Sequence, residues 1–333
     1  MTIAKRKSSL KSLLREYYEI QAFPSAVCGV FIDGAKFFLS MGKTEMEKGF
    51  EPDENSLFDI ASLTKIVATS TLFLHLFKEN KLSPEDKLNT CSAEKSKIRI
   101  IDLLEHRAGF CSFIPLYKTA KNREDLKIKA KESELCYTPN KRVVYSDVGY
   151  IVLCDFIETK FEKRFDNICY DLFNNIGFTN TLFIDKIKSM GIEKRVVPTS
   201  TTSSLRVHDE NANFMDGVST HAGLFSTASE LINFSKKILE KKDFCEILFH
   251  QLKSTEDLQK RRFIYGFDTF IRDNKKLIGH LGYTGCAIWI DFESNTSCVL
   301  LTNRVWPSEG REPKETPETF RNFREKIIKV VFD

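Results

Sequence analysis

Strand-forming runs stand at the two ends of this 333-residue chain and the stretch between them is mostly helical. That order leaves few ways to close a sheet. Residues 25–32 and 36–41 are β-rich and flank Asp33-Gly34, a strong hairpin signal, so they predict adjacent antiparallel strands. Residues 263–271, 275–278, 286–290 and 298–301 read as strands again, with turns at Asp273-Asn274 and 293–295. Leu10, Leu13, Leu14, Tyr17 and Tyr18 recur at helical spacing up to residue 21, ahead of Pro24, and Phe320, Phe323, Ile327 and Val330 do so over 318–331. The expected fold is α+β: one antiparallel sheet built from both ends of the chain, flanked by terminal helices, with a large, mostly helical insertion. It divides the chain into a discontinuous sheet part, residues 1–68 and 262–333, and a mostly helical part, residues 69–261.

The chemistry concentrates at the junction of these parts. From Ser62 onward Ile66, Val67, Leu72, Phe73, Leu76 and Phe77 cover most sides of a helix, which predicts a helix buried between layers with Ser62 at its mouth. Lys65 follows at i+3, on the same face, and makes a nucleophile with its own base. Ser-x-x-Lys also begins at Ser8, Ser40 and Ser92, but Ser8 and Ser92 lack a buried helix and Ser40 ends a strand, where its lysine points elsewhere. Tyr145-Ser146-Asp147 directly precedes helical spacing over 147–158; Asp147 is a good N-cap, a role that needs no active site. Gly279-His280-Leu281-Gly282-Tyr283-Thr284-Gly285 lies among strands, where glycine either admits a close backbone or substrate or marks a bulge. A second His-x-Gly, at His221, lies outside any predicted strand.

Other function classes find little support. A net charge of +4 on 50 basic and 46 acidic residues is no basic stripe, so no nucleic-acid partner is expected. Nine singly scattered cysteines without zinc-site spacing suggest free thiols in a reducing compartment. Charges at Lys11, Arg15 and Glu16 interrupt any apolar stretch behind the basic first residues, and no run reaches the length of a membrane span, which reads as cytoplasmic. His208, Asp209, Glu210 and His221 have ligand chemistry but no H-E-x-x-H helix, so neither metal nor cofactor is expected. His75 and His106 read as structural. No feature assigns an oligomeric state.

Taken in order, Ser62-Leu63-Thr64-Lys65, Tyr145-Ser146-Asp147 and His280-Leu281-Gly282 resemble the motifs of the serine β-lactamases and penicillin-recognising D,D-peptidases, especially the class C β-lactamase-like branch that includes esterases. Residues 58–65, 98–109, 145–153, 207–211, 223–231, 279–291 and 300–304 look like blocks of that family. The resemblance implies a β-lactamase/D,D-peptidase-like fold with the site where the two parts meet. It also implies a cofactor-free serine hydrolase that forms an acyl-enzyme on Ser62 from an ester or amide of a small or peptide-like substrate. By the same resemblance Lys65 takes or holds the serine proton, Tyr145 is the second base, His280 is a cation beside Tyr145, and the N–H groups of Ser62 and Tyr283, next to Gly282, form the oxyanion hole.

Two positions depart from the family pattern. Leu281 stands where threonine is usual and lacks the hydroxyl that helps bind a substrate carboxylate, so weak or absent β-lactam hydrolysis is expected. Asp147 stands where asparagine is commoner; a carboxylate beside Lys65 favours the ammonium, which moves the expected base role to Tyr145. Residues 207–211 and 221–227 look most like a branch with cell-wall amidases, so a muropeptide amidase or D-amino-acid peptidase is the enzymatic alternative. A catalytically retired binding protein is the other, and retention of Ser62, Lys65 and Tyr145 together argues against it.

Overall fold

At the Asp33-Gly34 turn both residues adopt left-handed backbone, with φ of 52° and 79°, which lets a two-residue loop follow the twist of its strands. It joins β1 (Ser25–Ile32) to β2 (Ala35–Gly42) in antiparallel register from Ser25↔Gly42 to Ile32↔Ala35. A computed structural model describes residues 1–45, 49–90, 92–201, 205–241, 245–254, 263–272, 275–306 and 317–333. The expected turn at Asp273-Asn274 and the boundary between residues 261 and 262 lie outside the described residues, as does Cys91.

Three short strands, β3 (Leu57–Asp59), β4 (Val196–Val197) and β5 (Phe225–Ser226), form a small sheet in the order β4-β3-β5. β6 (Phe263–Ile264), β7 (Phe267–Arg272), β8 (Lys275–Leu281), β9 (Ala287–Asp291) and β10 (Thr296–Thr302) join the hairpin in a seven-stranded sheet ordered β2-β1-β10-β9-β8-β7-β6. Every pairing in it is antiparallel, and the two ends of the chain meet where β1 pairs with β10. The single strand expected over 263–271 is two strands. Tyr265 and Gly266 both take positive φ, 48° and 89°, and turn the chain; Tyr-Gly lacks the Asn or Asp that usually marks such a turn.

The helices are α1 (Ile3–Glu19), α2 (Thr71–Lys78), α3 (Ile100–Leu104), α4 (Arg123–Glu132), α5 (Asp147–Phe161), α6 (Phe165–Ile176), α7 (Ile184–Met190), α8 (Glu210–Phe214), α9 (Ala228–Leu239), α10 (Cys245–Ser254) and α11 (Pro317–Phe332). Alternation along β1 sends Ala26, Cys28, Val30 and Ile32 to a core shared with α1 and α11, where Tyr17 stacks on Phe323 at 4.6 Å. Val27 and Phe31 face the opposite core. Between them Gly29 makes room for α9, since a Cβ there would lie 2.9 Å from Ile232 Cγ1. Each fully buried aliphatic or aromatic side chain contributes about 1.5–3 kcal/mol, so a sheet covered on both faces makes a stiff wall for the site beside it.

Two expectations are corrected. Past Ser62 the chain is not one α-helix but a 3₁₀ turn, Ala61–Leu63, then a wide π-helical turn, Lys65–Ser70, before α2. The Ser70 and Thr71 hydroxyls donate to the Lys65 and Ile66 carbonyls five residues back, at 2.9 and 2.8 Å, and support the widening. Nor are all thiols free: Cys111 and Cys136 form a disulfide. It lies where the Cys136 and Tyr137 N–H groups both donate to the Gly109 carbonyl, a closure that a separation of 25 residues does not announce. No helix of the described residues is long and apolar enough to cross a membrane.

Candidate active site

Ser62 is presented by a tight turn at the end of β3. Asp59 closes that strand, accepting from the Ala61 N–H at 2.9 Å and the His208 N–H at 2.8 Å; burial outweighs those donors and pushes its carboxyl above the ordinary value. Ala61 is held in left-handed backbone, φ 47°, an uncommon state for a residue with a Cβ. The Thr64 hydroxyl donates to the Ala61 carbonyl at 2.7 Å and accepts from the Leu224 N–H at 3.2 Å, which ties the turn to the segment ahead of β5. Ser62 thereby lines a cleft of about 620 Å³, together with Phe113, Tyr145, Asp147, Asp209 and the end of β8.

The Lys65 amine has three acceptors: Ser62 Oγ at 3.1 Å, Asp147 Oδ1 at 2.6 Å and the His221 carbonyl at 3.0 Å. An ammonium has three protons to donate, so this set is complete. The Tyr145 hydroxyl donates to Ser62 Oγ at 2.9 Å. Four residues named from the sequence, Ser62, Lys65, Tyr145 and Asp147, thus converge, with Tyr145 reaching Ser62 across 83 residues and Asp147 reaching Lys65 across 82. The cap of α5 is corrected: Ser146, not Asp147, accepts from the Gly149 N–H at 3.0 Å. That frees the Asp147 carboxylate to turn toward Lys65.

The charge balance differs from the sequence expectation. Burial lowers the Lys65 pKa, and although the Asp147 and Asp209 carboxylates pull it back, burial prevails. Burial and the Asp147 charge push the Tyr145 hydroxyl well above its ordinary value. Both directions run against moving the base role to Tyr145, because the phenol holds its proton more tightly while the amine holds its own less tightly.

The β8 end supplies the remaining predicted residues. His280 is buried on the same sheet face as Ile278, with its ring centre 5.9 Å from that of Tyr145 and Nδ1 2.8 Å from the Leu281 carbonyl. Leu281 packs against the core of the terminal helices and also borders the cleft. At Gly282 a Cβ would lie 2.8 Å from the Ile60 carbonyl oxygen, so the glycine lets the strand end close on the serine turn. Tyr283 is 66% exposed at the cleft and stacks on His208, 5.3 Å between ring centres.

Two histidines matter more than the sequence suggested. His106, at the end of α3, packs its ring 4.6 Å from that of Tyr145 and accepts from the Ser146 N–H at 3.1 Å through Nδ1, fixing the turn that carries Tyr145. His221, in the His-x-Gly outside the strands, supplies the third acceptor of Lys65; its repeated motif and its place in the 221–227 block gave no hint of that contact. Among the described residues no three His, Cys, Asp or Glu side chains gather as metal ligands.

A model of the beta-lactamase family matches residues 10–317. A protein of Bacillus subtilis (strain 168) named N-acetylmuramyl-L-alanine amidase is 28% identical, over 90% of this chain and 81% of its own. One from Escherichia coli (strain K12), provisionally named a D-alanyl-D-alanine carboxypeptidase, is 26% identical over 84% of this chain and 76% of its own. Among solved structures, the D-amino acid amidase from Ochrobactrum anthropi SV3, complexed with D-phenylalanine, superposes with a TM-score of 0.74 at 15% identity over 98% of both chains.

Proposed function

The chain belongs to the beta-lactamase family, and from that premise we propose that it cleaves an ester or amide of a small or peptide-like substrate through an acyl-enzyme on Ser62. The observation that carries this reading is the Ser62 oxygen held between the Lys65 amine and the Tyr145 hydroxyl at the edge of an open cleft. In acylation the Ser62 oxygen bonds to the substrate carbonyl carbon while its proton passes to Lys65, which enters this step as the neutral amine, a form that burial brings closer than in an exposed lysine. Asp147 stabilises the ammonium so formed. The N–H groups of Ser62 and Tyr283 receive the negative oxygen. Tyr145 gives its proton to the leaving oxygen or nitrogen as that bond breaks, and recovers one from Lys65. Water then attacks the acyl-serine by the same proton path, which releases the free acid and restores the Ser62 hydroxyl.

The muropeptide or D-amino-acid amide alternative draws its support from the amidase relative and from the bound D-phenylalanine of the structural neighbour. Leu281 keeps β-lactam hydrolysis weak in either case. The Cys111–Cys136 disulfide weighs against the reducing compartment read from the thiol pattern. A fluorophosphonate followed by intact-protein mass spectrometry tests the central step: a phosphonyl adduct in the wild type and none in Ser62→Ala supports it. Folded wild-type protein left unmodified refutes it in favour of a retired binding protein. A panel of esters, D-amino-acid amides, muropeptides and β-lactams then separates the substrate classes.

A further inference from the structure

We propose that Asp209 and His221 are positioning residues for Lys65: together they hold one acceptor of its amine in place and set part of the field in which it exchanges a proton. The inference rests on the reading that Lys65 handles the Ser62 proton. Asp209 caps α8, its Oδ1 accepting from the Ala212 N–H at 2.8 Å, and the same oxygen lies 2.8 Å from His221 Nε2. The other ring nitrogen, Nδ1, is 2.8 Å from Ser219 Oγ. With both nitrogens engaged and the residue 1% exposed, the imidazole has no room to swing.

The neighbouring residue is anchored just as firmly. The Thr220 hydroxyl donates to the Tyr150 carbonyl on α5, and the Thr220 carbonyl accepts from the Thr69 hydroxyl at 2.7 Å, in the wide turn that begins at Lys65. Segment 219–221 is therefore fastened to α8, α5 and that turn, and it meets the reacting groups through the His221 carbonyl, 3.0 Å from the Lys65 amine. A loop tie alone would not need a charge. Here, against the cost of burial, His221 holds Asp209 below the usual carboxylate range, and the resulting anion favours the Lys65 ammonium. The titratable groups facing Lys65 are Asp147 and Tyr150 of α5, Tyr145 ahead of it, and this Asp209–His221 pair. Asp147 acts by direct contact and Asp209 from behind.

Lysine labelled with ¹³C at Cε, with the Lys65 signal assigned by its loss in Lys65→Arg, gives a readout independent of turnover. Asp209→Asn keeps an oxygen for the cap but removes the charge, and is expected to lower the Lys65 titration midpoint by roughly half a pH unit. His221→Gln leaves the Asp209 charge in place and is expected to keep the Lys65 midpoint close to that of the wild type. In ester hydrolysis His221→Ala should lose about tenfold or more in kcat with KM nearly unchanged, and His221→Gln should recover part of that loss. The inference is overturned if Lys65 titrates alike in the wild type and Asp209→Asn, or if His221→Ala loses rate only in proportion to folded protein. Failure of the wild type to label at Ser62 would overturn the hydrolase reading instead and leave the Lys65 titration to decide this one.

Discussion

Lys65 and Lys127 each lie 2.6 Å from a carboxylate oxygen, Asp147 Oδ1 for the first and Glu158 Oε2 for the second. Both side chains are buried, 0% and 5% exposed. Yet their proton affinities move in opposite directions. For Lys127 burial is overcome by Glu124 and Glu158, and its pKa rises; for Lys65 burial prevails over Asp147 and its pKa falls. Lys127 has a second contact at 2.8 Å to Glu124, which is 67% exposed and keeps the cluster near water. Glu158 also accepts from Arg123 at 2.6 Å and from the Phe165 N–H at 2.7 Å, so it ties α4 to α5 and to the start of α6. Lys65 is enclosed with one carboxylate in contact. Contact distance therefore does not separate a structural ion pair from a lysine that exchanges protons; the balance between desolvation and the number of nearby anions does.

Exchanging the two lysines one at a time should break that symmetry most visibly. Lys65→Met is expected to reduce kcat/KM by about 10²–10⁴-fold, the usual worth of a positioned base, while Lys127→Met leaves turnover of the folded enzyme within a few-fold of wild type. Similar losses in both, measured on one ester, would erase the distinction. Next in size is Glu158→Gln, which leaves Arg123 and Lys127 with the exposed Glu124 as their anion and should cost about 1.5–3 kcal/mol of stability in urea unfolding; a cost below about 0.5 kcal/mol would demote that cluster to a surface pair.

The smallest effect is the most specific. The folded Lys65 value lies below the ordinary 10.5, so between the two the unfolded chain binds the extra proton and stability rises with pH. The folded Lys127 value lies above 10.5, so its contribution is complete below 10.5 and is lost as pH rises through the folded value. Urea unfolding at successive alkaline pH values should show Lys65→Met flattening the rise and Lys127→Met removing the fall, about 1.4 kcal/mol for each pH unit of displacement. Curves that stay parallel to the wild type would contradict the assignment.

Local signals carried the parts of the fold that rest on local physics. Asp33-Gly34 announced the first hairpin because few other residue pairs accept two left-handed conformations, whereas Tyr265-Gly266 did the same work without the usual side chain and passed unnoticed. The helix behind Ser62 was legible as buried, but its wide turn was not, since Ser70 and Thr71 reach back to carbonyls in a way that propensity does not encode. The Cys111–Cys136 pairing depends on a loop closure at Gly109 that has no spacing signature.

The candidate site divides along the same line. Residue identity and order were enough to bring out Ser62, Lys65, Tyr145, Asp147 and the His280 strand, because a nucleophile with a nearby base and a glycine for close approach are chemical requirements written in side-chain type. How enclosure moves the proton affinities of Lys65 and Tyr145 is visible only in the tertiary structure. Desolvation is summed over every element packed around a charge, and the groups around Lys65 come from the Ser62 turn, Tyr145, α5, Asp209 at the cap of α8 and segment 219–221, far apart in the chain. The same enclosure that lowers Lys65 also raises Tyr145, and it brings His106 against the turn that carries Tyr145 and the His221 carbonyl to the Lys65 amine.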